Sequence, residues 1–119
     1  MGASPPLQLA FFGDDFTGST DALEQLAQAG LRTVLLHELT SATSLAAFGP
    51  LDAIGVAGAT RSLSPDAMEA QLRPAFAAMR SLSPRHVHYK VCSTFDSSPE
   101  VGSIGRALEV GAACFPARF

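Results

Sequence analysis

The sequence lacks the features that mark several common classes of protein. Its 119 residues include two cysteines, Cys92 and Cys114, which are too few for a disulfide framework or a cysteine-based metal site. Charged residues make up 16% of the chain and the formal net charge is -3, so the basic surface typical of nucleic-acid-binding proteins is missing. Internal repeats and low-complexity segments are missing too. We therefore expect one domain or part of one, without a nucleic-acid partner.

Targeting and membrane segments are absent as well. The N-terminus has no cationic opening, and its apolar run at residues 7–12 is too short for a signal peptide or a membrane-spanning helix. Pro6 stands where a myristoylation motif needs serine or threonine. The sequence therefore predicts a cytoplasmic protein with no membrane partner.

Nucleotide-binding and metal-binding motifs are also missing. Neither G-x-x-x-x-G-K-[ST] nor G-x-G-x-x-G occurs, so these residues offer no cradle for nucleotide phosphates. A haloacid-type phosphatase is disfavoured, because Phe16 stands two residues after Asp14, where that chemistry needs a second acid. No metal site is expected, since none of the three histidines has a partner at metal-ligand spacing: His37, His86 and His88.

Apolar runs that alternate with helical patterns are what the chain does contain. Four runs are predicted to be strands, at residues 7–12, 32–37, 51–58 and 86–91. Three helices are predicted: one with an Asp21–Glu24 capping pattern and a stop at Gly30, one that starts at residues 64–66, and one at about residues 103–113. Residues 40–48 are predicted to be a weak helix or a loop. This alternation predicts an α/β fold in three layers, with a mostly parallel, Rossmann-like sheet between flanking helices.

Polar side chains follow three of the four predicted strands. Because the carboxyl ends of parallel strands share one edge of a sheet, we expect these side chains to converge. The candidates are two acids, two bases and several hydroxyl groups from separate parts of the chain: Asp14, Asp15, Arg61, Lys90, Ser93, Thr94 and Asp96. Such a set suits a small hydroxylated anion, because a guanidinium and an ammonium bind a carboxylate while the acids accept hydrogen bonds from hydroxyl groups.

Each candidate also has a purely structural explanation. Asp14 is able to cap the loop, which makes Asp15 the better candidate for ligand contact, and Arg61 and Lys90 are able to pair with these acids without any ligand. A second class of function also stays open. A stand-alone anion-binding or receiver-like regulatory module would carry acids after its first strand and a late lysine. It would also need a phosphorylatable aspartate after its third strand, where this sequence has Thr-Arg-Ser at 60–62.

Three sequence blocks resemble the N-terminal domain of the four-carbon acid sugar kinase family. They are DDFTGSTD at 14–21, ATRS at 59–62 and YKVCSTFDSSPEVGSIGRALEVG at 89–111, and the resemblance covers nearly the whole chain from about Leu7. It implies a two-domain, ATP-dependent kinase that phosphorylates a tetronate or 3-oxo-tetronate on its terminal hydroxyl group. The N-terminal domain would hold the sugar acid, whereas a separate C-terminal domain, which is not in this chain, would hold ATP and Mg²⁺.

The resemblance also assigns residues. It implies sugar-acid contacts from Asp15, Arg61 and residues 90–93, a segment that includes Cys92, with Thr94 and Asp96 close by; it identifies no catalytic base. Cys92 is otherwise a small buried side chain or a reactive thiol beside Lys90. We expect residues 1–119 to be a partial substrate-binding domain that is inactive alone. Its sheet is expected to be incomplete after the last helix, with an unprotected edge that favours self-association.

Overall fold

The computed structural model of the chain describes residues 7–40, 45–92, 94 and 96–115. In this part, the strands and helices follow one another in the order β1 (Leu9–Gly13), α1 (Phe16–Gln28), β2 (Thr33–Leu36), β3 (Ala53–Ala57), α2 (Pro65–Ser81), β4 (His86–Lys90) and α3 (Ile104–Cys114). Short 3₁₀ turns form at Ala46–Phe48 and Thr60–Ser62. The four predicted strands and the α/β fold are confirmed. Of the uncertain segment 40–48, residues 41–44 lie outside the described residues.

The sheet is parallel throughout and its strands lie in the order β2-β3-β1-β4. The chain passes from β1 over β3 to β2 through α1, and from β3 over β1 to β4 through α2. Phe11 covers Gly55 on the α1 face, whereas Phe12 joins the core formed with α2 and α3 on the other face. The neighbouring strands β1 and β3 therefore send their helices in opposite directions. This creates a topological switch point, where open α/β sheets bind ligands outside the carboxyl ends of their strands.

The main core lies between the sheet and the two helices α2 and α3. It is built from apolar residues at alternating strand positions and at helical spacing: Ala10, Phe12, Ile54, Val56, Met68, Leu72, Phe76, Met79, Ala107 and Val110. The Phe12 ring contacts the Phe76 ring edge-to-face at 6.1 Å and stacks with Tyr89 at 6.0 Å. Burial of this apolar surface supplies most of the driving force for folding, and it fixes where the strands end.

Helix α1 begins earlier than the sequence predicted. The Asp21–Glu24 capping pattern is wrong as the helix start, because Asp15 is the N-cap and its Oδ1 accepts a hydrogen bond of 2.8 Å from the Gly18 backbone N–H. The Thr-Gly-Ser-Thr segment at 17–20, which precedes that pattern, is already helical. In this turn, the Ser19 backbone N–H and hydroxyl group both donate to the Asp15 carbonyl oxygen, at 3.2 Å and 2.6 Å. The first turn of α1 is therefore built directly onto the end of β1.

The other helix ends agree with the sequence. Ser64 caps α2 by accepting from the Ala67 backbone N–H at 3.3 Å, and Ser103 caps α3 by accepting from the Arg106 N–H at 3.1 Å. Gly30 follows the end of α1 with φ +87°, the left-handed conformation that a helix-terminating glycine supplies. Among the described residues, we find no helix with the length and apolar character needed to cross a membrane.

Candidate functional site

Three segments that follow neighbouring strands meet at the carboxyl edge of the sheet. Asp14 and Asp15 follow β1, Arg61 lies in the 3₁₀ turn after β3, and Lys90 is the last residue of β4. Main-chain hydrogen bonds tie these segments together: the Asp14 N–H donates to the Lys90 carbonyl oxygen at 2.9 Å, and the Arg61 N–H donates to the Asp14 carbonyl oxygen at 3.0 Å. The convergence expected from the sequence thus follows from the strand order, with β1 between β3 and β4. We call this edge the rim.

The Arg61 guanidinium lies at the centre of the rim. Its Nη1 is 3.3 Å from Asp15 Oδ2, and its Nη2 is 2.7 Å from Asp96 Oδ2. Nη2 also lies 3.3 Å from Oγ1 of Thr94, which in turn lies 3.0 Å from Asp96 Oδ2. These contacts raise the pKa of Arg61, chiefly through the Asp96 hydrogen bond, and hold the pKa of Asp96 below its usual range. Arg61 therefore joins the end of β1 to the segment after β4.

Asp14 is the buried acid of the rim. It is 3% exposed, and within the described residues its Oδ1 is a buried oxygen without a hydrogen-bond partner. Burial raises the pKa of Asp14, the charge of Asp15 adds to the rise, and a hydrogen bond from the Cys92 backbone opposes it. The capping role considered for Asp14 belongs instead to Asp15, whose two oxygens bind Gly18 N–H and Arg61.

Lys90 and Cys92 complete the described part of the rim. Lys90 donates from Nζ to the Val91 carbonyl oxygen at 3.0 Å, and its Cγ lies 3.8 Å from the position that a Cβ on Gly18 would occupy, beside the start of α1. Cys92 is a half-buried free thiol, 3.3 Å from Thr94 Oγ1. Ser93, another predicted site residue, lies outside the described residues.

Three further features adjoin the rim that sequence reasoning missed. The Tyr89 hydroxyl lies 2.6 Å from Oγ1 of Thr60, the residue directly before Arg61 in the chain. Gly102 packs against the Arg61 carbonyl oxygen, since a Cβ at Gly102 would lie 2.4 Å from it. Phe16, 58% exposed at the start of α1, stacks on His37 at 6.0 Å. Tyr89 had a usable signal, because it alternates onto the core face, where a tyrosine hydroxyl needs a partner.

The charges of the rim suit recognition of a polar ligand better than metal binding. Three carboxyl groups (Asp14, Asp15 and Asp96) surround two cations, Arg61 and Lys90. Among the described residues, no group of three or more His, Cys, Asp and Glu side chains is arranged to hold a metal ion. The arrangement offers guanidinium, ammonium and hydroxyl donors next to carboxylate acceptors. These are the groups that recognise a small acid with several hydroxyl groups.

Two concavities formed by the described residues lie away from the rim. One, of about 400 Å³, lies between β3, α2 and residues 37–40, and the other, of about 450 Å³, lies along α2. Neither is lined by any of the predicted site residues. The predicted site residues therefore lie apart from both of these concavities.

Known proteins resemble this chain along nearly its whole length. A Paraburkholderia graminis protein named 3-oxo-isoapionate kinase is 47% identical over 110 residues, which is 92% of this chain and 23% of the relative. A Methylobacterium radiotolerans protein named 3-oxo-tetronate kinase is 38% identical over 103 residues, which is 87% of this chain and 24% of the relative. The chain thus spans about a quarter of the length of these curated relatives.

A solved structure and a protein family agree with these relatives. A crystal structure from Salmonella typhimurium LT2, provisionally described as a tRNA synthase, matches with a TM-score of 0.84 at 29% identity. The match covers 97% of this chain and 26% of that chain. Residues 9–119 match the family described as the sugar-binding N-terminal domain. The chain therefore belongs to the family of sugar-binding N-terminal domains.

Proposed function

We propose that residues 1–119 are the substrate-binding part of an ATP-dependent kinase, and that they bind a four-carbon sugar acid, a tetronate or 3-oxo-tetronate. The observation that carries this proposal is the Arg61 guanidinium at the switch point, in contact with both Asp15 and Asp96. Relatives named as 3-oxo-tetronate and 3-oxo-isoapionate kinases support the same substrate class, because both names describe keto acids of sugars.

The proposed roles follow from the chemistry of each group. Arg61 and Lys90 bind the ligand carboxylate, since both are donors with a full positive charge. Asp15 accepts hydrogen bonds from ligand hydroxyl groups. Asp14 is buried, and its backbone hydrogen bonds hold the segments of Lys90 and Arg61 in place. Cys92 and Ser93 are the remaining proposed contacts, and Thr94 and Asp96 lie close by in the segment after β4. With these donors and acceptors, a ligand with one carboxylate and several hydroxyl groups is favoured over a purely apolar one.

The proposed reaction needs ATP and Mg²⁺, but we do not assign their binding to residues 1–119. The described residues contain no suitable metal cluster, and the sequence contains neither glycine motif for nucleotide phosphates. These residues therefore do not fit the cofactors, and we derive no step through them. In the proposed kinase, a further domain binds ATP and Mg²⁺, and the present residues bind and orient the acceptor.

Calorimetric titration of the 119-residue chain with D-erythronate and D-threonate tests the proposal. Arg61→Ala should weaken binding by about 1.5–3 kcal/mol, the value of a charge-assisted hydrogen bond, and Lys90→Ala should weaken it in the same direction. Arg32→Ala is the matched control, because Arg32 pairs with Asp52 (Nε to Oδ2 3.4 Å) at the opposite, amino end of the sheet. This control should bind as the wild type does.

Two results would contradict the proposal. A loss well below about 1 kcal/mol in Arg61→Ala would mean that Arg61 serves internal pairing alone. No measurable binding of either acid to the wild-type chain would remove these two tetronates from the proposed substrates. Incubation with ATP, Mg²⁺ and a tetronate should yield no product from these 119 residues, and robust turnover would contradict the assignment of nucleotide binding to another domain.

A receiver-like module is the weaker alternative. Phosphorylation from acetyl phosphate needs an accessible carboxylate, whereas Asp14 is almost fully buried and Asp15 is engaged by Gly18 and Arg61. Acetyl phosphate should therefore label neither residue. Mass spectrometry of the treated protein would reveal a phosphoryl adduct if this alternative held.

We also propose that the outer edge of β4 supports weak self-association. In the described part of the chain, β4 pairs with β1 alone, and its first three residues are exposed: His86, Val87 and His88. A free parallel edge offers unpaired backbone groups to another strand. Sedimentation velocity over a range of protein concentrations should show an average mass that rises with concentration, and a sharp, concentration-independent monomer would contradict this.

A further inference from the structure

The carboxyl groups of the rim outnumber its cations, and two of them already contact the Arg61 guanidinium. These are Asp15 and Asp96, the buried Asp14 adds a third acid, and Lys90 is the second cation. An anion that entered beside all of these groups would meet a site that is neutral at best, so charge repulsion would offset much of its attraction to Arg61. One carboxylate of the protein must therefore give up its contact with Arg61 when a ligand carboxylate arrives.

Asp15 is poorly suited to leave Arg61. Its side chain is 19% exposed, and its other oxygen caps α1 through the Gly18 N–H at 2.8 Å. Movement of Asp15 would uncap the helix and leave a largely buried carboxylate without its cation. An N-cap interaction and an unpaired buried charge both cost free energy.

Asp96 has the opposite properties. Its side chain is 59% exposed and lies in the irregular segment between β4 and α3. Water is therefore able to solvate its carboxylate after separation from Arg61, and exposed ion pairs are weak. At the same time, its Oδ2 is 2.7 Å from Nη2, the shortest contact that the guanidinium makes with the described residues. A ligand carboxylate that binds Nη2 must occupy the position of this oxygen.

We propose that Asp96 is an internal competitor: its carboxylate occupies the place on Arg61 that the ligand carboxylate takes, and a bound sugar acid displaces it. This inference rests on the proposed function, because it assumes that a sugar acid binds at Arg61. Asp96 thereby makes the site selective for ligands that carry a carboxylate. A ligand without a carboxylate cannot replace Asp96 on the guanidinium, so it gains nothing from Arg61.

The test compares three variants by calorimetry with D-erythronate, and with erythritol as the neutral analogue. Asp96→Asn removes the competing charge and should lower the Kd for D-erythronate roughly two- to fivefold, the range expected for the loss of one exposed ion pair. Asp96→Ala should tighten binding in the same direction. Glu100→Gln is the matched control, because Glu100 is an exposed acid of the same segment and loses the same charge. Neither the control Kd nor any affinity for erythritol should change.

The outcomes separate this inference from the proposed function. If Arg61→Ala weakens D-erythronate binding while Asp96→Asn weakens it or leaves it unchanged, the competitor role is wrong and the proposed function stands. If Asp96→Asn and Glu100→Gln tighten binding equally, the effect is general electrostatics and the competitor role is again wrong. If Arg61→Ala has no effect on binding, the proposed function itself fails.

Discussion

The hydroxyl group of Tyr89 lies 2.6 Å from Oγ1 of Thr60 and links β4 to the turn after β3. This contact passes over β1, where the Tyr89 ring stacks on Phe12 at 6.0 Å. Thr60 is fully buried and directly precedes Arg61, whose own N–H is held by the Asp14 carbonyl oxygen. The pair therefore fixes the backbone from which the central cation of the rim projects.

Tyr89 should titrate at an unusually high pH. Burial raises the pKa of Tyr89 to about 12, with the charge of Asp14 as a smaller contribution in the same direction and the Thr60 hydrogen bond opposing them. Between pH 10.0 and about pH 12, the unfolded chain has lost this proton while the folded chain still holds it. The free energy of unfolding therefore falls as the pH rises through that interval. The chain has one tyrosine and no tryptophan, so the absorbance band of ionised tyrosine reports this group alone.

The measurement compares the folded chain with the chain in urea. The tyrosinate band should appear near the normal pH in urea but only near pH 12, or together with unfolding, in buffer. Circular dichroism recorded in parallel identifies unfolding. A tyrosinate band near pH 10.0 with an intact fold would show that the hydroxyl group is not buried as described.

Loss of the Tyr89 hydroxyl and loss of the Thr60 hydroxyl should have non-additive effects on stability. Tyr89→Phe leaves the buried Thr60 hydroxyl unpaired, which should lower the free energy of unfolding by about 1–3 kcal/mol. Addition of Thr60→Val removes the orphaned group, so the double variant should be less destabilised than the sum of the two single variants. Urea denaturation of all four proteins measures this coupling. Strictly additive losses would indicate that the hydrogen bond contributes nothing.

Gly102 should be intolerant of any side chain. Its φ of +63° costs an L-residue roughly 1–2 kcal/mol, and a Cβ would lie 2.4 Å from the Arg61 carbonyl oxygen. We expect Gly102→Ala to destabilise the fold by at least about 2 kcal/mol and to weaken tetronate binding, because the Arg61 turn must shift. Thermal and urea unfolding, followed by calorimetry at a temperature where the variant is folded, measure both effects.

Gly105 provides the control for this substitution. It lies in α3, where a Cβ would meet nothing closer than Ser103 Oγ at 3.8 Å. Gly105→Ala should therefore stabilise the chain by about 0.5–1 kcal/mol, the usual gain in helix propensity. Equal effects of the two substitutions would mean that the contact with Arg61 carries no weight.

Hydrophobic pattern and turn chemistry were sufficient to predict the strands and helices, but not every residue at which a helix begins. The strands, the Ser64 cap and the start of α3 near Ser103 are local features, so the sequence predicts them well. The start of α1 was misplaced because two acidic caps compete locally, and tertiary packing of Ser19 against Gly13 selects Asp15.

Part of the candidate site could also be predicted from the sequence. Carboxyl ends of parallel strands must share an edge, so the meeting of Asp15, Arg61 and Lys90 could be expected without knowledge of the strand order. The contacts of Asp96 and Gly102 with Arg61 could not, because they depend on the course of residues 91–103, which have no periodicity. The sequence also gives no measure of how many charges of the rim neutralise one another.

The buried carboxyl group of Asp14 should make stability depend on pH in a defined direction. Burial, aided by the charge of Asp15, raises the pKa of Asp14 above 3.8, so the folded chain binds this proton more tightly than the unfolded chain does. As pH rises from 3.8 through the folded pKa, the unfolded state releases its proton first, and the contribution of Asp14 to stability is lost. Asp14→Asn does not titrate and should therefore gain stability relative to the wild type as pH increases.

The gain should reach about 1 kcal/mol at neutral pH, since the amide leaves an unpaired neutral group where a charged one was buried. It should shrink toward pH 3.8, where Asp14 itself becomes neutral in both states. Midpoints of thermal unfolding for both proteins across this range measure the difference, and Asp21→Asn, an exposed acid on α1, controls for the loss of one charge. A difference that stays constant with pH, or grows toward acid, would mean that Asp14 is ionised at no cost, and that its unpaired oxygen is satisfied in solution by a group such as water.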